Sequence, residues 1–256
     1  MRPAWFCIPL VAALAWGQMP SEQETVAVVE LARKAALSYG QLLPDFICTE
    51  VVHRDLHPDG ESRTHDTLTI KLSYYQHHED HQLLLINGEA TSLDYTMLNG
   101  AVPVGEFGAA LLEIFDPASH TEFTWEKWTQ DHKRPAGVYA YQVSAANSRY
   151  TLTYRAGTGQ HQVLVGFHGV VEADRTTGEV LHYTYVADRP PRGFPVRSSA
   201  TSVDYDRANI DGVEYLLPAV SETQMRSLDG WALNRAEFRE YRKFSADSKV
   251  TFGTGK

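Results

Sequence analysis

Cysteine is scarce in this chain: its 256 residues include only Cys7 and Cys48. Cys7 lies in an apolar N-terminal stretch that we expect to be removed, which leaves Cys48 alone. A single cysteine cannot form an intrachain disulfide, so an oxidising compartment would add no internal cross-link. Because Cys48 stands among apolar strand residues, we expect a buried structural thiol; a reactive or intermolecular thiol is the alternative.

Basic residues are outnumbered by acidic ones. The chain has 23 Lys and Arg against 32 Asp and Glu, and its formal net charge is −9. A nucleic-acid surface needs clustered positive charge, so we expect no nucleic-acid partner. No apolar run approaches the roughly 20 residues of a spanning helix, so we also expect no transmembrane segment in the mature chain.

The N-terminal segment has the pattern of a secretory signal. Arg2 supplies the basic start, an apolar core runs from Trp5 to Trp16, and Ala15 and Gly17 are the small residues before cleavage. We predict a signal peptide over residues 1–17 and one domain over residues 18–256. Cleavage removes Arg2 and no acidic residue, so the formal charge changes from −9 to −10. The mature protein should be secreted or periplasmic and begin near Gln18.

Motifs of catalysis are missing as well. The sequence has no HExxH, no Gly-x-Ser-x-Gly and no glycine-rich phosphate loop before a helix. Sequence order cannot exclude a catalytic triad, because triads assemble in space. We nevertheless expect no enzymatic activity, no catalytic residue and no cofactor.

Three polar segments could carry chemistry. His77-His78-Glu79-Asp80-His81 offers zinc or copper ligands, but its spacing matches no established site, and a solvated hairpin loop is the favoured interpretation. The acidic residues from Asp204 to Asp211 resemble a calcium loop only loosely, so turn chemistry is favoured there and no metal is expected. The basic loop Arg189–Arg197 could meet anionic head groups or an acidic partner; a stiff surface connection is the alternative.

The apolar patterns predict one helix followed by many strands. Ser21 and Glu24 form a capping box before an amphipathic helix that Gly40 and Pro44 end. Alternating strands then recur between turn residues such as Pro58-Asp59-Gly60, Asn87-Gly88 and Asp174–Gly178. A second, short helix is predicted over 106–115. The predicted fold is α+β, with one large, strongly curved antiparallel sheet covered by the two helices.

Several phrases resemble a known fold. Gly169–Asp174 with Thr177–Val180, and Val203–Tyr205 with Ile210–Gly212, are similar to those of the periplasmic lipoprotein-carrier fold, the LolA-like half-barrel. Leu43–Thr49 and Tyr241–Phe244 resemble a group of secreted bacterial proteins on the same plan. The carrier resemblance covers mainly residues 160–225, and the stretch from about 55 to 135 departs from it.

The resemblance implies a non-enzymatic protein whose concave face binds a lipid, a lipoprotein acyl chain or another apolar ligand. Its partner would be a lipid or a lipidated protein. The alternative is an envelope protein-interaction or sensor module, with an envelope protein as partner and a groove filled by its own side chains. We predict that the short helix gates the groove, and the predicted groove and gate residues are Leu111, Phe115, Tyr139, Tyr141, Tyr183 and Tyr185.

Overall fold

The computed structural model describes residues 20–60, 62–95, 98, 105–130, 134–156 and 159–244. The predicted signal over 1–17 and a strand predicted at 250–252 lie outside these residues. Within these ranges the α-helices are α1 (Glu22–Leu42) and α2 (Ala109–Phe115), and a short 3-10 helix spans Pro117–Ser119. The strands are β1 (Phe46–Pro58), β2 (Thr64–Tyr75), β3 (His78–Ile86), β4 (Glu89–Ala90), β5 (Glu122–Thr129), β6 (Ala136–Val143), β7 (Thr151–Ala156), β8 (Gly159–Leu164), β9 (Phe167–Asp174), β10 (Val180–Ala187), β11 (Val196–Ile210), β12 (Val213–Ser227) and β13 (Gly230–Lys243).

In the described part of the chain, eleven strands form one antiparallel sheet in the order β4-β3-β2-β1-β13-β12-β11-β10-β9-β6-β5. The first strand thus pairs with the last, and β7 and β8 form a separate hairpin between β6 and β9. The sheet is curved and its edges do not pair, which makes it a half-barrel. The predicted α+β fold with a curved antiparallel sheet and two helices is confirmed.

Turn residues set the sheet's register as the sequence predicts. The Asp174 carboxylate accepts hydrogen bonds from the backbone N–H groups of Thr176 (2.8 Å) and Thr177 (2.9 Å). Gly178 then takes φ +75°, and a Cβ there would collide with the backbone of Leu31 in α1. Glycine is therefore needed both for the turn and for the approach of the helix.

Helix α1 begins where the capping box predicts. The Ser21 hydroxyl accepts from the N–H of Glu24, and the Glu24 carboxylate accepts from the N–H of Ser21. Val28, Ala32 and Ala36 are its buried stripe, which belongs to the core formed with β9 and β10. The small alanines let the helix approach the concave face closely. No helix in the described ranges is both long and apolar enough to cross a membrane.

Two predicted boundaries are wrong. Helix α2 spans Ala109–Phe115 rather than 106–115, because Gly108 has φ +121°, which an α-helix cannot accommodate. The residues on either side of Pro218 predict two separate strands, Val213–Leu217 and Ala219–Leu228, because proline usually interrupts a strand. They are instead one strand, β12, that continues through Pro218. A shift in the pairing of β11 with β12 lies at Asp204 and Tyr205, and this irregularity accommodates the proline, which cannot donate to the ladder.

Candidate functional site

The concave face brings the predicted groove residues together. Tyr139 and Tyr141 lie on β6, and Tyr183 and Tyr185 lie on β10, with β9 between them. We call these four tyrosines the aromatic floor. They are at most 7% exposed and share one apolar cluster with Leu111 and Phe115 of α2. Their clustering is therefore an observed feature, whereas their role in binding a ligand stays a prediction.

The hydroxyl groups of the aromatic floor have partners within the chain. Tyr139 donates to the carbonyl of Thr25 in α1 (3.0 Å), and Tyr185 donates to the Glu113 carboxylate in α2 (2.7 Å). Burial raises the pKa of Tyr139 to about 12, so this phenol remains a neutral donor. The floor is thus tied to both helices by directional bonds as well as by apolar contact.

The segment 105–116, which contains α2, covers the aromatic floor, and we call it the cover. Its entrance is formed by Gly105 (φ +94°) and Gly108 (φ +121°), and no side chain caps the helix at Gly108. Leu111 and Phe115 are on its buried side. Hydrogen bonds from the Tyr205 hydroxyl to the Glu106 carbonyl and from Arg33 to the Phe115 carbonyl, both 2.7 Å, hold it in place. The cover is therefore held at both ends by hydrogen bonds and along its length by buried apolar side chains.

The cover also joins the two halves of the concave face. Its Phe107 is 2% exposed and belongs to a second apolar cluster, built on β1, β2 and β13. Four rings surround it at centroid distances of 5.2–6.4 Å: Phe46, Tyr74, Phe238 and Tyr241. Leu111 and Phe115, in contrast, belong to the cluster of the aromatic floor. Displacement of the cover would therefore open both clusters.

Three glutamates lie beside the entrance of the cover, and we call them the carboxylate cluster: Glu50 of β1 and Glu106, which are buried, and Glu79 of β3, which is partly buried. Glu79 accepts from the N–H groups of Gly105 (3.2 Å) and Phe107 (3.3 Å). Glu106 accepts from the Ser221 hydroxyl (3.1 Å). These bonds link β3 to the cover and the cover to β12.

Burial changes the protonation of this cluster. It raises the pKa of Glu50 well above the usual range, and the negative charges of Glu106 and Glu79 add to this effect. Burial, with a further contribution from Glu79, raises the pKa of Glu106 to about 7. The pKa of Glu79 is raised by burial too, although its two backbone N–H donors oppose the shift. Near neutral pH the cluster thus carries fewer than three charges.

His81 lies next to the carboxylate cluster. Its Nε2 atom is 3.7 Å from Oε2 of Glu50, and its ring stacks on Tyr95 with a centroid distance of 5.4 Å. Burial lowers the pKa of His81 and raises that of Glu50, so burial opposes the charged form of both partners in this contact. Oε2 of Glu50 has no hydrogen-bond partner in the described ranges.

The prediction of a solvated hairpin loop at His77–His81 is wrong. Only Gln76 and His77 form the turn, and β3 already begins at His78. Because strand residues alternate between faces, Glu79 and His81 turn inward while His78 and Asp80 are exposed. The five side chains cannot converge on one ion in this arrangement, and the described residues contain no other group of three metal-ligating side chains arranged for a metal.

Turn chemistry at Asn209–Gly212 is confirmed. The Asn209 side chain accepts from the N–H of Gly212 (2.9 Å), and Asp211 adopts φ +54°. Asp204, in turn, lies 2.7 Å from Nδ1 of His182 on the neighbouring strand. These residues shape a hairpin and a cross-strand contact.

The carboxylate cluster is the part of the site that the sequence analysis missed. Glu50 did lie in a pattern that predicts burial: Phe46, Cys48, Glu50 and Val52 occupy every second position of β1. These residues share the inward face, so a carboxylate in that series is placed in the core. Glu106 carried no comparable pattern, because it precedes the helix rather than lying on it.

A small polar cavity of about 150 Å³ lies elsewhere, between β1 and β2. It is lined by His53, Arg54, Asp55, His65, Asp66, Thr67 and Asn87. Nε of Arg54 donates to Asp66 at 2.7 Å, so the main cation in the cavity is already paired. The size and polarity of this cavity do not suit an apolar ligand.

The chain matches no family model and no curated protein. It is similar to the solved structure of a DUF1329 family protein from Desulfovibrio piger, with 8% identity and a TM-score of 0.42 over 86% of this chain and 95% of that one. It is also similar to a putative outer membrane lipoprotein-sorting protein domain from Vibrio parahaemolyticus, with 13% identity and a TM-score of 0.38 over 86% of this chain and 93% of that one. A LolA superfamily protein from Nitrosomonas europaea matches with 7% identity and a TM-score of 0.32, again over 86% of this chain and 93% of that one. The family that the turn and strand phrases resemble is thus among the structures similar to this chain.

Proposed function

We propose that this protein is a secreted or periplasmic, non-enzymatic carrier that binds a lipid, a lipoprotein acyl chain or another apolar molecule on its concave face. The single observation that carries the proposal is the cover: a short helix with two positive-φ glycines at its entrance lies on an aromatic floor. In the proposed mechanism the cover moves away and the ligand takes the place of Leu111 and Phe115 on the floor.

The energies of the exchange set the size of ligand that the concave face can hold. Burying about ten methylenes at about 0.8 kcal/mol each gives about 8 kcal/mol before ordering costs. Removing a buried leucine and a buried phenylalanine side chain from their contacts costs about 2–5 and about 3–5 kcal/mol. Because this cost offsets the gain, a ligand that stays bound must bury a longer chain or keep the displaced cover side chains in apolar contact.

The proposal is tested by shortening the underside of the cover. Leu111→Ala with Phe115→Ala should lower the free energy of unfolding and increase the binding of an environment-sensitive apolar dye, because both changes open space above the aromatic floor. Leu152→Ala with Val165→Ala is the matched control: both side chains are buried, but they belong to a separate small cluster with Ala187 and Val196 that contains no residue of the cover. The control should lose similar stability without gaining dye binding. Equal dye binding by the two variants would contradict the proposal.

A second candidate function rests on one specific observation, namely that the six predicted groove residues are packed against the chain itself. This arrangement favours an envelope protein-interaction or sensor module with a self-filled groove. Under this alternative the cover is ordinary core. The cover variant would then lose stability as the control does, and added lipid would not stabilise the wild-type protein.

A further inference from the structure

Three exposed arginines lie together at one end of the sheet. Arg189 and Arg192 are in the loop that joins β10 to β11, and Arg197 is the second residue of β11. The sequence contains no acidic residue between Asp188 and Asp204. Within the described ranges no carboxylate forms an ion pair with any of the three. They form a patch of unneutralised positive charge on an acidic protein.

Other arginines at the same end of the sheet form ion pairs. Arg226 of β12 pairs with Asp59 at 3.4 Å, and Arg63 pairs with Asp55 at 2.8 Å. The carboxylate of Asp229, in the turn between β12 and β13, accepts from the Tyr154 hydroxyl at 2.6 Å. Two of these three carboxylates therefore form ion pairs with other arginines, and the third accepts a hydrogen bond from a neutral phenol.

The loop has a defined shape. The N–H of Phe194 donates to the carbonyl of Pro191 at 3.1 Å, and Gly193 has φ +92°. These are the features of a tight turn with glycine at its third position, and Arg192 occupies its outer corner. Pro190 and Pro191 fix two further φ angles. The backbone at Arg192 is thus fixed before binding, and only its side chain has conformational entropy to lose.

Apolar side chains accompany the arginines. Phe194 packs partly against a small cluster that includes Leu152, Val165 and Val196. Leu228 is 52% exposed, and its N–H donates to the carbonyl of Pro195 at 2.9 Å, which places Leu228 against the loop. An exposed leucine bonded to the loop that carries the arginines supplies the apolar and basic residues that proteins use together at a membrane interface.

We propose that this tip, formed by Arg189, Arg192, Arg197 and Leu228, docks the protein on an anionic lipid bilayer. The tip is a protruding turn rather than a flat or concave surface, and a bilayer interface accepts such a protrusion without a matching pocket. Leu228 would enter the interface while the guanidinium groups contact phosphate oxygens, which they can bind in a bidentate manner. The proposal is independent of any ligand on the concave face.

Each arginine near an anionic surface should strengthen binding about fivefold, so three should contribute about 100-fold. The rest of the acidic protein is repelled by the same surface, which would orient the molecule with this tip toward the lipid. The attraction is electrostatic, so it should weaken as salt shortens the screening length.

The experiment is vesicle flotation of the exported, processed protein. Vesicles of phosphatidylglycerol mixed with phosphatidylcholine are compared with vesicles of phosphatidylcholine alone, at low and high salt. The loop variant carries Arg189→Gln, Arg192→Gln and Arg197→Gln, and a separate variant carries Leu228→Ser. The matched control carries Arg235→Gln, Arg239→Gln and Arg242→Gln, which removes the same charge from exposed positions of β13.

We expect the wild-type protein and the β13 control to float with the anionic vesicles at low salt and not with phosphatidylcholine alone. The loop variant should bind about 100-fold more weakly, and Leu228→Ser should weaken binding at both salt concentrations. Three results would overturn the proposal: no binding of the wild-type protein to anionic vesicles, equal losses in the loop variant and the β13 control, or loop-dependent binding to an acidic polypeptide but not to lipid.

Discussion

The two halves of the concave face are both buried, but they differ in the polar groups that they bury. On the aromatic floor, phenol hydroxyls reach helix carbonyls or a carboxylate, as Tyr139 and Tyr185 do. In the second half, carboxyl groups are buried, and Oε2 of Glu50 has no hydrogen-bond partner within the described part of the chain. The stability of the first half therefore depends on packing, whereas the stability of the second half also depends on pH. The cover is attached to both halves, so both should control its position.

The largest expected effect comes from breaking the link between the halves at Phe107. Phe107→Ala should lower the free energy of unfolding by about 3–5 kcal/mol, because it empties a site enclosed by four aromatic rings. The control is Phe244→Ala, since Phe244 is only partly buried and stacks on Tyr75. Urea unfolding measures the stability of both variants. Equal losses in the free energy of unfolding would show that Phe107 does not connect the two halves.

The next effect is the pH dependence of the second half. Glu106 titrates near its usual value of 4.5 in the unfolded chain and at a pKa of about 7 in the folded protein. Between these values the folded state retains a proton that the unfolded state has lost. Stability should therefore fall by about 3 kcal/mol as the pH rises from about 4.5 to about 7.

Glu106→Gln removes this titration and should make the curve less steep, while Glu50 and Glu79, whose pKa values are also raised, still contribute. The variant should resemble the wild-type protein at about pH 4.5 and be about 3 kcal/mol more stable, relative to it, above about pH 7. Glu126→Gln, a change at an exposed position of β5, is the control and should keep the wild-type profile. If Glu106→Gln follows the wild-type curve throughout, the carboxylate cluster does not control stability in this range.

A smaller effect is expected at Cys48. Its predicted burial is confirmed: the thiol is 3% exposed and free, and burial raises its pKa well above the usual range. Cys48→Ser should cost about 1–3 kcal/mol, because a hydroxyl is more costly to bury than a thiol. Ligand or partner binding should be unchanged in a titration. Lost binding with an unaltered melting temperature would reveal a functional thiol.

The smallest effect concerns metal. We predict that the purified protein retains no stoichiometric zinc or copper after mild dialysis, because Glu79 and His81 point inward while His78 and Asp80 point outward. Elemental analysis of the wild-type protein and of the His77→Ala/His81→Ala variant tests this. One equivalent of metal in the wild-type protein that disappears in the variant would contradict the prediction.

Much of the fold could be predicted because its determinants are local. The capping box, Asn87-Gly88 and the loop at Asp174–Gly178 specify their turns through side-chain bonds and positive φ angles, whatever the rest of the chain does. Alternation placed the floor tyrosines on one face. Their assembly with Leu111 and Phe115 followed from the need to cover a long sheet.

What could not be predicted depends on contacts between distant parts of the chain. The continuation of β12 through Pro218 relies on an irregularity in its pairing with β11. The carboxylate cluster joins residues from β1, β3 and the cover, and Ser221 lies 115 positions from its partner Glu106. A raised pKa is a property of that assembled environment, which no local pattern encodes.

The central claim, that the concave face binds an apolar ligand, is tested most directly by native mass spectrometry of the exported, processed protein. The spectrum should show a chain that begins near Gln18, together with a population whose added mass matches one lipid per protein. Organic extraction should remove that mass, and added lipid should restore it. A protein that carries no extractable mass and takes up no added lipid would contradict the carrier function and favour the self-filled interaction module.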